Sequence, residues 1–588
     1  MANKPRIFDR LAGLETEYAV SVRSTSSSTT LPTRLEVYER VLVALSKRMP
    51  VVRAYHAKDG AFLATGGAIW FEGDRLSHDA GLLEGATPEC RRPQDVIAFQ
   101  RAQDKLFEEA VKRSSFDCDI RLLKNDRDAL NNIYGAQENY EAEFASGWRL
   151  ALWRVGLVLL VPLMLLTWLG FLLLHIAWEI YDLLAAFVLV PLGELALPRG
   201  VVGRWLLGED RVHDRPYGAG WPAWAEWLSL LLQRVVGGPL AGALYALLLV
   251  VGFSRVRRLL IPFLVSRPVI AGAGMLDGDG RFQLSDKSPA INSVMNFGGF
   301  FHGRPIILLG DFYKRLSYDA IFAPHDYLDL FHGRQRLQIG VGDSNMCQGA
   351  EWLRVATTML VLDCIEAGEM PDPPRIPRPV EALRAVCADT ELGRPIETAK
   401  GPRTALQLQR FYYTACRRFV GQHADAPSEA WHVLRSWEAT LDALETDPRS
   451  LVGTLDWVTK RFMLEHAPQN ASWESLKKID LKYHELSPEG YFRVLAEHLE
   501  TLQVVDDDDI LRATRLPPLD TPASMRGRLI REFAGGDEPL AVNWRMVRIG
   551  RGVGAKVYRL ADYHPQHALG DMPRDSARSD PSPWVDDE

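Results

Sequence analysis

Cysteine is scarce in this chain of 588 residues: only Cys90, Cys118, Cys347, Cys364, Cys387 and Cys416 are present, and no two form a Cys-x-x-Cys pair. That scarcity excludes a disulfide scaffold or a zinc ribbon, and each thiol reads as a small buried apolar group. An excess of positive charge is also missing, since 68 basic residues against 75 acidic ones leave a formal charge of −7. Without a basic field there is little counterion release to drive nucleic-acid binding, so nucleic acid is not an expected partner. The N-terminus has no cleavable leader, and with the cysteine usage this points to a reducing, cytoplasmic compartment. At this length a single hydrophobic core stops growing, so two or more domains are expected.

Formal charge vanishes from one stretch. Val155–Ile176, VGLVLLVPLMLLTWLGFLLLHI, supplies about 20 apolar residues which, at 1.5 Å each, match the ~30 Å hydrocarbon core of a bilayer. Pro162 does not exclude a membrane helix, where proline is tolerated. A second run, Pro239–Phe253, is shorter but extends backwards through Leu228–Leu232. Between them, Leu183–Leu197 contains Glu194 and follows Glu179 and Asp182, so an interfacial or partly buried position is expected. If the polar segments on either side fold together, the number of crossings is even, most simply two. Arg149 and Arg154 before the first crossing, and Arg255, Arg257 and Arg258 after the last, suit two cytoplasmic ends. Trp148, Trp153, Trp168, Trp178, Trp221, Trp224 and Trp227 suit interfacial belts. The expectation is a membrane-spanning helical insert over 148–262, membrane lipid as a partner, and a cell inner-membrane location with the rest of the chain cytoplasmic. A helical hairpin packed on the soluble part is the alternative.

Outside the insert the pattern is α+β. GLETEYAVSV and GGAIWF read as strands, as do Pro305–Leu309 and Leu337–Val341, while Leu35–Arg48, Gln94–Arg113 and Glu351–Ala367 have helical periodicity. PDPPRIPRP at Pro371–Pro379 reads as a proline-rich linker that separates off a mostly helical region, Val380–Leu499. The divisions expected are 1–147 and 263–499 as two parts of one domain, 500–572 as a small C-terminal domain, and 573–588 as a disordered acidic tail.

GLETEYAV places Glu15 and Glu17 on one face of a strand, because side chains alternate. Two converging carboxylates are hard oxygen ligands of the kind magnesium takes, although such a pair is more often a solvated face. Glu84 and Glu89 in LLEGATPEC, and Glu138 and Asn139 in KNDRDALNNIYGAQENY, add further oxygen donors. FLVSRPVIAGAG, FQLSDKS and RLQIGVGDSNM follow the insert.

In this order the motifs resemble the Pup ligase and depupylase family, related to glutamine synthetase and carboxylate-amine ligases. VATTMLVLDCIEAG, LQRFYYTACR, LDWVTKRFML, IDLKYHEL and LPPLDTPASMRGRLIREF extend the resemblance over nearly everything but the insert. It implies a glutamine-synthetase-like curved antiparallel sheet forming an ATP cradle, helices behind it, and a small C-terminal domain. ATP would phosphorylate the C-terminal glutamate of a Pup-like modifier, and a target lysine would displace phosphate; depupylases hydrolyse that bond or deamidate the modifier. The resemblance implies Glu15, Glu17, Glu84, Gln137 and Asn139 as magnesium-site residues, with Gln137 standing where the family has histidine. Arg267, Arg336 and Ser285 are the implied nucleotide contacts.

Two departures stand out. The family's catalytic aspartate follows a strand that here reads AIWF, so Glu72 takes its place with Asp74 two residues on. The extra methylene moves the carboxylate by about an ångström, enough to matter for attack geometry. The Asn-Thr-Arg-Asp-Glu-Pro-His-Ala motif is replaced by ILLGDFYKRLSYDAIFAPHDY, in which Arg315, His325 and Asp326 are the substitutes. The short interval from Glu15 to Glu72 resembles ligases, which lack a depupylase loop there. The function expected is a membrane-tethered, ATP-dependent ligase joining a Pup-like modifier to lysine-bearing proteins. A depupylase or deamidase, or a catalytically altered membrane scaffold, are the alternatives.

Overall fold

The computed structural model describes residues 7–24, 31–55, 59–74, 77–114, 116, 118–195, 198, 200–208, 222–301, 303–319 and 324–560. The expected tail 573–588 and Trp221 lie outside these.

Ten strands form the main sheet: β1 (Ala12–Ser24), β2 (Val51–Arg53), β3 (Gly60–Leu63), β4 (Ala68–Asp74), β5 (Ser77–Ala86), β6 (Cys118–Leu123), β7 (Ala136–Glu143), β10 (Ser293–Asn296), β11 (Pro305–Leu308) and β12 (Arg334–Ile339). Two short strands, Met275–Leu276 and Phe282–Gln283, make a separate hairpin numbered β8 and β9. The spatial order is β10-β11-β12-β7-β1-β5-β4-β3-β2, with β6 pairing the far end of β1. Every pairing within it is antiparallel except β10–β11. The sheet is therefore the antiparallel one expected, with a parallel edge.

Alternation along β1 and β7 splits the sheet into two faces. Ala12, Leu14, Thr16 and Tyr18 of β1 are buried, as are Ala136, Glu138, Tyr140 and Ala142 of β7, while the residues between them are half-exposed. Helices cover the buried face: α1 (Arg34–Ser46), α2 (Pro93–Arg113), and the helices Ser254–Ser266 and Gln348–Ala367. A reciprocal capping box between Thr33 and Glu36 starts α1. Proline at the first turn starts α2, where its missing N–H costs nothing.

The segment 371–379 is not a spacer between independent units. Ile376 is buried, and the helices Ala405–Gln422 and Ser428–Thr446 share one apolar core with the back of the sheet. Residues Leu540–Val542, Met546–Ile549 and Lys556–Arg559 form a three-stranded sheet, β13–β15. Its Val542, Val547 and Ile549 pack with Phe62, Ala68, Trp70 and Ala86, and Phe62 and Trp544 meet edge-on at 4.9 Å. The C-terminal unit thus covers one end of the sheet's other face.

Among the described residues, the apolar insert contains two helices long and apolar enough to cross a membrane. The first, α3 (Gly147–Leu184), runs on through a π-helical turn, Ala185–Leu189, and ends at Gly193, a span of 47 residues. The second is Ala223–Val251, 29 residues. They pack antiparallel: a methyl on Gly156 would strike Leu247, and one on Gly170 would strike Val236. Of Leu183–Leu197, expected to be interfacial or partly buried, residues 183–193 continue the first helix, with Ala185 buried and Phe187 at 76% exposure. At its root the hairpin is fixed to the chain between β11 and β12. Trp153 Nε1 donates to the Leu330 carbonyl at 2.6 Å, Trp168 Nε1 to that of Leu316 at 2.9 Å, and Tyr327 Oη to that of Leu157 at 2.9 Å.

Candidate active site

The open face of the sheet gathers the polar residues. In register, Glu15 pairs with Gln137 on one side and Ala86 on the other, Glu17 pairs with Glu84, and Glu84 pairs with Trp70. Asn139 pairs with Gln338, and Glu141 with Arg336. Directly paired residues point to the same side, so Glu15, Glu17, Glu84, Gln137, Asn139, Arg336 and Gln338 share one face. Glu72, two residues beyond Trp70 on β4, joins them at an exposed position and acts electrostatically on Glu17. The side chain of Asp74 lies outside the described residues; its backbone follows a register shift at Gly73/Asp74.

Three glutamates dominate one end of this surface. Burial, then the charges of Glu72 and Glu84, push the Glu17 carboxyl up to about 8, against Lys287 and the Gly135 N–H, which favour ionisation. A β-carbon at Gly135 would displace the Glu17 carboxylate that its N–H binds. Glu15 is held differently. Arg336 Nη2 donates to its Oε1 at 2.5 Å and Gln338 Nε2 to its Oε2 at 3.0 Å. Arg336 Nε also donates to Asn139 Oδ1 at 2.7 Å, and Gln338 to Gln137 Oε1. Gln137, in the family's histidine position, is therefore matched across the strands by a second amide.

Among the described residues no three carboxylate, imidazole or thiol groups close on a common point as a metal cage. Magnesium rarely uses such a cage; it is usually held by one or two carboxylates plus substrate phosphates and water. The donors fit it: three glutamates crowded on one face leave Glu17 short of positive charge, and amide oxygens flank them.

Two expected nucleotide contacts lie elsewhere. Arg267, at the end of the helix Ser254–Ser266, faces the covered side of the sheet. Its guanidinium clamps Glu138 with bonds of 2.6 and 2.9 Å and binds Thr358 Oγ1 at 2.8 Å, and both Arg267 and Glu138 are buried. Burial favours the neutral Glu138 carboxyl, but Arg267 and Arg354 outweigh it and hold that carboxyl below its usual range. Arg267 is thus a structural counter-ion, not a phosphate contact. Ser285 is buried as well: its hydroxyl donates to Asp343 Oδ1 at 2.8 Å and accepts from Ser288 N–H at 3.0 Å. It pins a loop rather than lining the open face. Glu89, noted for its oxygen donors, pairs with the buried Arg526.

Of the three substitutes, Arg315 is buried in an ion pair with Asp311 at 2.5 Å, Asp326 pairs with Arg545 at 3.2 Å, and the side chain of His325 lies outside the described residues. Three residues not singled out from the sequence belong to the site. Gln338 follows Arg336 by two, so strand periodicity alone could have found it. Lys287 lies two residues beyond Ser285, donates to the Ala136 carbonyl at 3.4 Å and acts electrostatically on Glu17. Asp311, on the short helix Gly310–Lys314, acts on Arg336 and had no signal in the sequence.

Known proteins are similar to this chain in sequence and in fold. Over 556 residues the chain is 26% identical to a Pup–protein ligase of Acidimicrobium ferrooxidans, covering 92% of each. It is 35% identical to a depupylase of Acidothermus cellulolyticus over 309 residues, 50% of this chain and 58% of that one. A Pup deamidase/depupylase of Mycolicibacterium smegmatis is 32% identical over 324 residues, 61% of its length. Among solved structures, the Pup ligase PafA in complex with Pup aligns with a TM-score of 0.62 at 20% identity, covering 95% of this chain and 90% of that one. PafA in complex with ADP aligns at 0.56 and 20% identity, covering 92% and 93%. These two establish the fold. The family model described as Pup-ligase protein matches residues 10–548, and on that match the chain belongs to the Pup-ligase family.

Proposed function

We propose that the protein is an ATP-dependent ligase that joins the C-terminal glutamate of a Pup-like modifier to substrate lysines through a glutamyl phosphate. The observation that carries this reading is the single open face on which Glu15, Glu17, Glu84, Glu72 and Arg336 meet. Glu17 and Glu84, with Glu15 beside them, are the magnesium carboxylates of this reading, and Gln137 and Asn139 offer amide oxygens. Magnesium bound there would offset the charge that builds on a transferring phosphate. Glu72, exposed at the end of β4, is positioned to take the proton from an incoming lysine ammonium. Arg336, once free of Glu15, carries a fork suited to phosphate or carboxylate. Purified protein should turn over ATP only when magnesium and a peptide ending in glutamate are both present. Failure with every such peptide would sink the reading.

Hydrolysis or deamidation on the same face is the second reading, favoured by the 35% identity to a depupylase over half the chain. A preformed conjugate cleaved faster than it is made would select it. Nucleotide binding without turnover would select a catalytically altered scaffold.

The hairpin is the membrane anchor in this reading. Length and apolar composition support it, as do Leu159, Leu166, Phe187 and Val235, which are exposed by 64 to 76%. An apolar surface of that extent is costly to leave in water. Both ends of the hairpin join the catalytic unit, which supports two crossings, and Arg149, Arg154, Arg255, Arg257 and Arg258 at those ends support a cytoplasmic side at the inner membrane in this reading. The full chain should stay in the membrane pellet through alkaline carbonate washing; release into the supernatant would contradict the anchor.

A further inference from the structure

The C-terminal unit is tied to the β2–β4 side of the sheet. Tyr55 N–H donates to the Val542 carbonyl at 2.7 Å, and the buried Arg526 guanidinium, 4.7 Å from the Trp544 ring, donates to the Gly66 carbonyl at 2.7 Å. The residue after Trp544 reaches the opposite way. Arg545 Nη1 lies 3.2 Å from Asp326 and 3.5 Å from Asp329, on the short helix Pro324–Asp329 between β11 and β12, and all three side chains are less than one-third exposed. Residues 327–331 are in turn held by the root of the hairpin. Tyr327 Oη donates to the Leu157 carbonyl at 2.9 Å, and the Leu330 and Phe331 carbonyls accept from Trp153 Nε1 at 2.6 Å and Arg154 Nε at 3.0 Å.

Sheet order turns these contacts into an arch. The C-terminal unit rests on Phe62, Ala68, Trp70 and Ala86 of β3, β4 and β5, whereas residues 324–331 lead into β12, and β7 and β1 lie between the two. The crossing is at the end of the sheet where β7 leaves for the hairpin, with Arg334 opposite Glu143. Trp70 and Ala86 sit in register with Glu84 and Glu15, so the C-terminal unit borders the carboxylates of the open face.

We propose that Arg545 with Asp326 and Asp329 is a latch through which the hairpin braces the C-terminal unit across the open face. Three hydrogen bonds to the hairpin fix residues 327–331, and the ion pair carries that constraint to the C-terminal unit. A partly buried pair is screened less than an exposed one, yet it separates without unfolding either element. Loosening the hairpin contact therefore frees the edge of the C-terminal unit that borders Glu15 and Glu84, while its other edge stays paired to Tyr55. The surroundings of the hairpin reach the carboxylate face by this route, whatever chemistry that face performs.

The test is hydrogen exchange of the full chain in detergent, without nucleotide, read by mass at peptides covering 540–549. Arg545→Gln should speed exchange there about fivefold, the scale of one such ion pair, and leave β1 and β7 unchanged. Tyr327→Phe removes only the hydroxyl that holds the Leu157 carbonyl. It should speed the same peptides in the unaltered chain and add nothing in the Arg545→Gln background. Unchanged exchange at 540–549 in Arg545→Gln, faster exchange spread equally over β1 and β7, or a Tyr327→Phe effect that is the same with and without Arg545 would each overturn the proposal. If Arg545→Gln does not fold, Asp326→Asn with Asp329→Asn breaks the pair from the other side and is read in the same way. No nucleotide or modifier enters the measurement, so its failure and that of the ligase reading are separate results.

Discussion

Glu72→Gln is expected to lower isopeptide formation by about 100-fold or more, the range that a positioned general base contributes. The amide keeps the shape of the side chain at an exposed position, so folding and ADP binding should stay within a few-fold of the unaltered chain. Glu72 also raises the Glu17 carboxyl, second only to burial and ahead of Glu84 and Lys287 among the charges that act on it. The same substitution should therefore ease ionisation of Glu17 and leave Mn2+ binding no weaker. Full activity in Glu72→Gln would remove Glu72 from the chemistry and shift attention to Asp74.

The second large effect is on stability. Arg267→Met should cost about 3–5 kcal/mol, because it strands Glu138 in the core of the protein with its main counter-ion gone. Joint replacement, Arg267→Met with Glu138→Leu, should recover most of that loss, since a buried pair and an apolar pair of similar volume differ little. Thermal unfolding of the two single variants and the double variant checks this. A single variant as stable as the unaltered chain would mean that Arg354, which also acts on Glu138, suffices alone.

The contrast between these two residues shows what could be read from the sequence. Strand alternation placed Glu15 and Glu17 together before any fold was known, and register then brought Glu84 and Gln137 beside them. Strands advertise their faces because their period is two. Arg267 carried an equally good motif, yet it follows a helix buried throughout Leu259–Ser266, and no local pattern says which face of a distant sheet such a helix meets. The chain between β11 and β12 was legible only as a missing motif. Its short helices and π-helical turn dock on the hairpin through Trp153 and Trp168, contacts set by tertiary packing rather than by sequence neighbours. Asp311 emerged only with that docking.

The hairpin and the site are joined through the same segment, from Trp168 at Leu316 to Arg315, Asp311 and Arg336. Everything nevertheless turns on whether the open face performs ligation. The most direct measurement is the intact mass of a lysine-bearing acceptor after incubation with the protein, magnesium, ATP and a modifier ending in Gly-Gly-Glu. The account predicts an acceptor heavier by the modifier less one water, and no such adduct with Glu72→Gln. An acceptor of unchanged mass, with ATP unconsumed across such modifiers, would contradict it.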